Sequence, residues 1–547
     1  MATLIVLLYG LLAFGTVWLV RRQSKNHDAH RVMRNIPGPP SRSWMKGNAP
    51  TLIRILILTP FQRDVALNYG PVVRLQGPLG RKILYVSDPK ALHTIIIKEE
   101  NVFEEPESTL ITFNLLFGDC LVGSLGENHR RQRKLLNPVF SVNHMRHMLP
   151  MFYNVIFKLR EVVMAKVRGG EKEIDVLEWT GRAALELIGQ GGLGYSFDPL
   201  VSDKEARNEY GDALKAMLPA LMNIESLRQI LPHLVKMGPK WFRRLATDIF
   251  PNAHVQTVKH VVDTMSKRSQ EIFHEKKAAL KSGDEAVLRQ VGEGKDIMSI
   301  LLRANTAASD ADKLPESQMV AQMSLLVFAA TDTTSNTLAH ILQLLAEHSN
   351  VQSKLREELL QSGAGTGNTS YDELMKLPLL DAVCRETLRV HPPATLLVRV
   401  PRKDSILPLS EPVIGLDGTI IKDVPVPEGT EIVIGVFGSN VNKSLWGEDA
   451  LEWKPERWLS PLPRAVNDAS IPGVYSNLMT FLGGKRACIG FKFSEMEMKV
   501  VLAVMVSNFV FELEKEIEWN VAGVDYPTVV WDGDRPQLPL KVRVYKS

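Results

Sequence analysis

Residues 2 to 20 are uncharged and mostly apolar, and then the chain changes character at once with Arg21, Arg22 and Lys25. Nineteen helical residues are roughly 28 Å long, close to the hydrocarbon thickness of a bilayer. The pattern therefore predicts one transmembrane helix over 2–20, with Trp18 near its end. Basic residues directly behind the span hold the following chain on the cytoplasmic side. A cleaved signal peptide would carry its basic residues ahead of the apolar run and a small-x-small site behind it, and neither is evident. No second stretch of that length lacks charge, so a single span is expected.

Polar residues follow to Arg34, and then Ile36-Pro-Gly-Pro-Pro40, which cannot be helical and reads as a stiff, extended hinge. Residues 21–43 are taken as a linker and 44–547 as one domain, since the body has no internal repeat and no long low-complexity segment. Val72 to Val86 alternates apolar and polar positions about Gly-Pro and Gly-Arg, which predicts a β-hairpin. Apolar spacing over most of 88–350 is helical, and strand-like runs return at 394–401, 413–434 and 538–545. The glycine-bearing segments 278–295 and 361–370 read as mobile surface loops. The sum is a mainly α domain with small β-sheets.

One helix is unusual. Pro315 and Glu316 open an apolar run reaching about Glu347, yet its centre is Ala329-Ala-Thr-Asp-Thr-Thr-Ser335. An aspartate and four hydroxyls are poor helix formers whose side chains bond to the preceding turn, bending the helix and opening its ladder. Apolar flanks at Leu325 to Phe328 and at Leu338 and Ile341 place this polar centre inside the protein rather than on its surface.

Composition narrows the function. The chain has 547 residues, 45% of them hydrophobic, enough for a large core. Its 65 basic and 61 acidic side chains leave a net charge of +4, which gives no reason to expect nucleic-acid binding, since that needs a clustered basic surface. Its three cysteines, Cys120, Cys384 and Cys488, form neither a zinc pair nor a covalent haem attachment, and they suit a reducing compartment. Cys120 and Cys384 read as small buried residues. Cys488 lies in Phe481-Leu-Gly-Gly-Lys-Arg-Ala-Cys-Ile-Gly490, between glycines that let backbone approach a flat ligand. Lys485 and Arg486 beside it are expected to lower its thiol pKa, as an axial metal ligand requires.

The spacing F-x-x-G-x-R-x-C-x-G resembles the haem-binding loop of the cytochrome P-450 family, and four further segments share that resemblance. Ala329 to Ser335 is similar to the family's acid-alcohol motif, with Ala330 where glycine is commoner; it implies Asp332 and Thr333 as the catalytic pair that delivers protons to dioxygen. Glu386 and Arg389, with Arg457 in Pro455-Glu-Arg-Trp458, resemble the family's structural charge network. Gly126 to Arg133 resembles the W-x-x-x-R helix, with His129 in the tryptophan position and Arg133 retained. The anchor and hinge resemble microsomal, basidiomycete-type fungal members.

The resemblance implies the P-450 fold, haem b with Cys488 as metal ligand, and Arg399, Arg486, His129, Arg133, Phe481 and Gly490 as haem-binding residues. It implies a monooxygenase in the endoplasmic reticulum membrane with a cytosolic catalytic domain. The partners would be O2, a lipophilic substrate and an NADPH–cytochrome reductase, since no nicotinamide or flavin fingerprint is evident. Candidate pocket walls are Glu104 to Phe117, Leu218 to Phe250, Phe328 to Thr333, Ala394 to Val398 and Tyr526 to Val530; they are largely aliphatic, so a lipophilic substrate is expected, and the resemblance to basidiomycete-type members implies a terpenoid-like secondary metabolite. The alternatives are a haem-thiolate isomerase or dehydratase needing no external electrons, and a non-catalytic haem- or lipid-carrying protein.

Overall fold

The computed structural model of the chain describes residues 27–40, 59–77, 81–201, 209–283, 285–286, 291–533 and 535–546. The expected anchor over 2–20 lies outside the described residues, among which no helix is long and apolar enough to cross a membrane.

Helix α1 (His27–Asn35) opens the described chain, where the sequence suggested only a polar linker. Met33 and Ile36 at its end are buried, and Asn35 holds the Gly415–Thr419 turn through Asp417, Thr419 and the Leu416 amide. The Pro-rich segment behind it is not helical and is docked: the Arg74 amide donates to the Pro37 carbonyl at 2.9 Å.

Strands β1 (Val72–Gln76) and β2 (Lys82–Val86) form the predicted hairpin, with Val72 opposite Val86. Next come β3 (Phe103–Glu104), α2 (Glu107–Phe117), α3 (Gly126–Leu136), α4 (Val142–Arg168), β4 (Glu173–Asp175), α5 (Val176–Leu187), α6 (Glu209–Asn223), α7 (Lys240–Asp248) and α8 (Ala253–Ser282). The long helix α9 spans Glu316–Glu347, and α10 spans Pro378–Val390. Strands β5 (Leu396–Pro401), β6 (Ser405–Ile414), β7 (Ile420–Val426) and β8 (Glu431–Gly435) precede the cysteine loop, and α11 (Phe491–Asn508) follows it. The chain closes with β9 (Phe509–Glu512), β10 (Ile517–Val521), β11 (Asp525–Val529) and β12 (Pro539–Val544). The largest sheet has the order β1-β2-β8-β5-β3, with β2 and β8 parallel and its other pairs antiparallel. This is the mainly helical architecture with small sheets that the sequence predicts.

The core sits around α9, whose residues from Gln318 to Leu345 are buried on nearly every side. Helix α5 lies along it, and the Thr180 hydroxyl donates to the Ser335 carbonyl at 3.3 Å. Helix α4 packs on α11 through the edge-to-face pair Phe152–Phe493, 4.9 Å between centroids. Segment 361–370 departs from the mobile loop expected of its glycines. Ala364 is buried, and the Tyr153 hydroxyl donates to its carbonyl at 2.9 Å.

Candidate active site

Cys488 is carried by a loop stapled at both ends. Its own amide donates to the Phe481 carbonyl at 2.9 Å, closing the loop on itself, and the Phe481 ring packs against Tyr475 and Phe491. The glycines serve a different purpose from the one expected. A Cβ on Gly483 would lie 1.7 Å from the Pro472 carbonyl oxygen, and one on Gly484, whose φ is +60°, would lie 2.3 Å from that of Ile96. They let the loop press against its own protein. Gly490 instead matters through its amide, which donates to the Cys488 sulfur.

Cys488 is enclosed by protein, yet its side chain keeps free surface, so it faces an interior space. Burial pushes its thiol up, and the Gly490 amide and the Arg133 charge act against that rise. The expectation that Lys485 and Arg486 hold the thiolate is corrected here. Lys485 Nζ donates to Asn101 Oδ1 at 2.6 Å, and Arg486 is turned to the carbonyls of Leu121 and Ser124 and to Glu105. The cation that acts on the sulfur is Arg133 of α3, whose Nη1 also donates to the Ala487 carbonyl at 2.8 Å.

The cations proposed for haem carboxylates do come together. Arg399 on β5 and Arg486 both bond Glu105, at 3.2 and 3.1 Å. His129 is buried near Arg486 and Arg133, and burial, reinforced by those charges and Lys485, brings its pKa down to about 3, so it is neutral. Burial also lowers the pKa of Arg399, Arg486 and Arg133. Arg486 Nε is buried with no partner among the described residues. Buried cations in excess of their single carboxylate, with an orphaned guanidinium nitrogen, fit a group that brings negative charge. Together with an open-faced cysteine, they fit haem.

Across the site, Thr334 Oγ1 and Ser494 Oγ are 3.0 Å apart and tie α9 to α11 six residues beyond Cys488. On α9, Ala329 is exposed and Ala330 and Thr333 are half-buried, although the helix is otherwise interior. The polar centre is inside, as expected, with Thr331, Thr334, Ser335 and Thr337 all buried. The predicted opening of the ladder is absent. The hydroxyls of Thr331, Thr333 and Thr337 each donate to the carbonyl four residues back at 2.8 Å, and the helix runs unbroken.

Asp332 and Thr333 point to different sides. Asp332 lines a cavity of about 740 Å3 between α5, α6 and α9, shared with Glu178, Arg182, Lys215 and Asn336, whereas Thr333 is not part of its lining. Burial raises the Asp332 pKa to about 6, and the Lys215 charge pulls against this. Leu218, Thr331 and Tyr526 from the expected pocket walls also line the cavity, but its charged residues come largely from helix faces outside those windows. An apolar wall lies beside it in sequence, where Phe328 packs against Phe117 of α2 with centroids 5.1 Å apart.

Glu386 and Arg389 of α10 make two parallel hydrogen bonds at 2.8 Å, and both side chains are fully buried. Arg457 completes the expected network through Glu386 at 3.4 Å, and Trp458 Nε1 donates to the same carboxylate at 2.9 Å. Arg389 also holds the carbonyls of Asn440, Ala450 and Glu452, so one guanidinium fixes the segment leading into the cysteine loop. Sequence reasoning had Glu105 only within the 104–117 pocket wall and not as a partner of the cations, and it missed Ser494, whose partner lies 160 residues away.

A mainly helical domain whose interior-facing cysteine leads into α11, itself tied to the polar centre of α9, is the architecture of a haem-thiolate enzyme. Residues 37–522 match the family described as Cytochrome P450, and the chain belongs to that family. Among curated proteins it is 97% identical to cytochrome P450 monooxygenase 219 of Postia placenta over 100% of each chain. It is 67% identical to cytochrome P450 monooxygenase 212 of the same organism over 98% of this chain and 99% of that one. It is 47% identical to ganoderic acid synthetase CYP5150L8 of Ganoderma lucidum over 93% of each. The chain is a haem-thiolate monooxygenase, and its cofactor is haem.

Proposed function

We propose that this protein is a membrane-anchored monooxygenase that oxidises a lipophilic, terpenoid-like molecule with O2 and with electrons passed from NADPH through a reductase. Cys488 is the residue that would ligate the haem iron, with Arg399, Arg486, Arg133 and His129 receiving its carboxylates and Phe481 and Gly490 shaping the loop. Bound there, haem supplies the oxygen-activating chemistry, made possible by electron donation from the thiolate. The protein's own part is to place protons and exclude water. Asp332 takes protons from the polar cavity, and Thr333, half-buried and off that cavity's lining, would hand them on.

The observation that carries this reading is the free surface of Cys488 inside the protein, with the Gly490 amide on its sulfur. The Phe117–Phe328 wall beside the proton-handling segment supports an apolar substrate, and the relative named ganoderic acid synthetase supports the terpenoid class. Membrane attachment through 2–20 is supported by α7 and the turn after it, where Trp241, Phe242, Leu245, Ile249 and Phe250 are exposed beside Lys240 and Arg244. An amphipathic helix of this kind lies in a bilayer interface. Lys485 and Lys492 on the cysteine side offer a basic face to an acidic reductase.

The reduced carbon-monoxide complex tests the ligand: the red-shifted Soret band of thiolate ligation is expected and should vanish in Cys488→Ser. Co-expression with a reductase and a panel of terpenes tests the reaction. An oxygenated product that depends on NADPH is expected, whereas turnover without NADPH would establish the isomerase or dehydratase alternative.

A further inference from the structure

Glu105 occupies a place that a haem site does not obviously need. It is an acid, set among the cations assigned above to the haem carboxylates. Its Oε1 lies 3.2 Å from Arg399 and its Oε2 lies 3.1 Å from Arg486, so one carboxylate bridges two guanidinium groups with separate oxygens. All three side chains are largely buried, with 13% of Glu105, 6% of Arg399 and 12% of Arg486 exposed.

The position is also fixed from the backbone. Glu105 directly follows β3, whose Glu104 pairs with Val400 on β5, the strand that carries Arg399. Arg402, also just past β5, donates from Nη2 to the Glu105 carbonyl at 3.0 Å and from Nε to Glu104 at 2.9 Å. Pro106 comes next and opens α2. The backbone is thus held in place, and the two ion pairs hold the carboxylate between the arginines. Arg486 keeps its Nε free of any partner among the described residues, so the cluster can add a carboxylate without releasing Glu105.

We propose that Glu105 is a positioning residue that clamps Arg399 and Arg486 and sets the charge of the haem-carboxylate cradle, keeping the reduction potential of the bound iron low. This rests on the assignment of Arg399 and Arg486 to the haem carboxylates. A buried anion beside those groups opposes the arrival of an electron, and a neutral amide of the same shape does not. The consequence is that the bound iron is harder to reduce than it would be beside a neutral side chain at position 105.

The test uses haem-loaded full-length protein and a spectroelectrochemical titration, which reads the ferric–ferrous equilibrium independently of turnover. Glu105→Gln is expected to shift that equilibrium about tenfold towards the reduced form, which is 59 mV for one electron. Glu105→Asp keeps the charge and should stay near the parent value, and it serves where the amide leaves the arginines too poorly paired to fold. Arg399→Gln should move the potential the opposite way or release haem faster to apomyoglobin. If Arg399→Gln acts and Glu105→Gln does not, the proposal fails and the cradle assignment stands. If Glu105→Asp shifts the potential as far as Glu105→Gln, geometry rather than charge is at work and the proposal is overturned. If neither Arg399→Gln nor Glu105→Gln changes potential or haem release, the cradle assignment itself is wrong and takes the proposal with it.

Discussion

Asp332 is the residue whose charge state the fold sets most usefully. With its pKa raised to about 6 by burial, the carboxyl is protonated in mild acid and ionised at neutral pH. The folded form holds the proton more tightly than the unfolded form does, so the group opposes folding increasingly as pH rises through 6. Denaturant midpoints between pH 4.5 and 7 should fall for the parent and fall less for Asp332→Asn. The same variant, and Thr333→Ala, should lose about 100-fold or more in product formation while the reduced carbon-monoxide band is unchanged. Product and peroxide per NADPH measure that loss. Sequence made both residues legible because a mid-helix acid among hydroxyls is rare. Helical geometry sets the two about 100° apart, but it could not show that, of the pair, only Asp332 reaches the polar cavity. The same blindness affected Cys488: Lys485 and Arg486 are adjacent in sequence but turned away, and Arg133, 355 positions upstream, provides the charge.

At the scale of elements, α9 was readable to the residue, because Pro315 and Glu316 mark its start and its periodicity is long. Strands β9 to β11 were not, being short and paired by contacts that no local pattern encodes. The loop around Ala364 misled for a related reason: its glycines suggest freedom, but Gly365 is there so that the backbone can pass Ser507 at a distance no Cβ allows. The buried pair on α10 yields the sharpest stability prediction. Arg389→Ala strips Glu386 of its bidentate partner and releases three carbonyls of the segment before the cysteine loop. Removing one partner of a buried ion pair costs about 3–5 kcal/mol, so the variant should accumulate poorly and fail to retain haem. Soluble yield and the haem-to-protein absorbance ratio provide the measurement.

At the scale of the whole molecule, the apolar face of α7 bears on where the protein works. If α7 rests on a bilayer, a chain lacking residues 2–26 should still float with phosphatidylcholine vesicles, and Trp241→Glu with Leu245→Glu should abolish that flotation while leaving the Soret spectrum intact. Persistence of flotation in the double variant would remove α7 from the interface. No local sequence pattern announced this face, because Trp241 and Leu245 read equally well as core positions until the fold left them uncovered.

Helix α1 and the proline segment behind it, fastened by Asn35 and Arg74, make the front of the molecule a strut rather than a tether. A body hung on a loose string tumbles and presents any side to the surface below it. One mounted on a strut keeps a set heading, so in a membrane-anchored chain, as proposed, the same flank would meet the lipid in every copy. A substrate dissolved in that lipid would then find its doorway at a constant height and bearing.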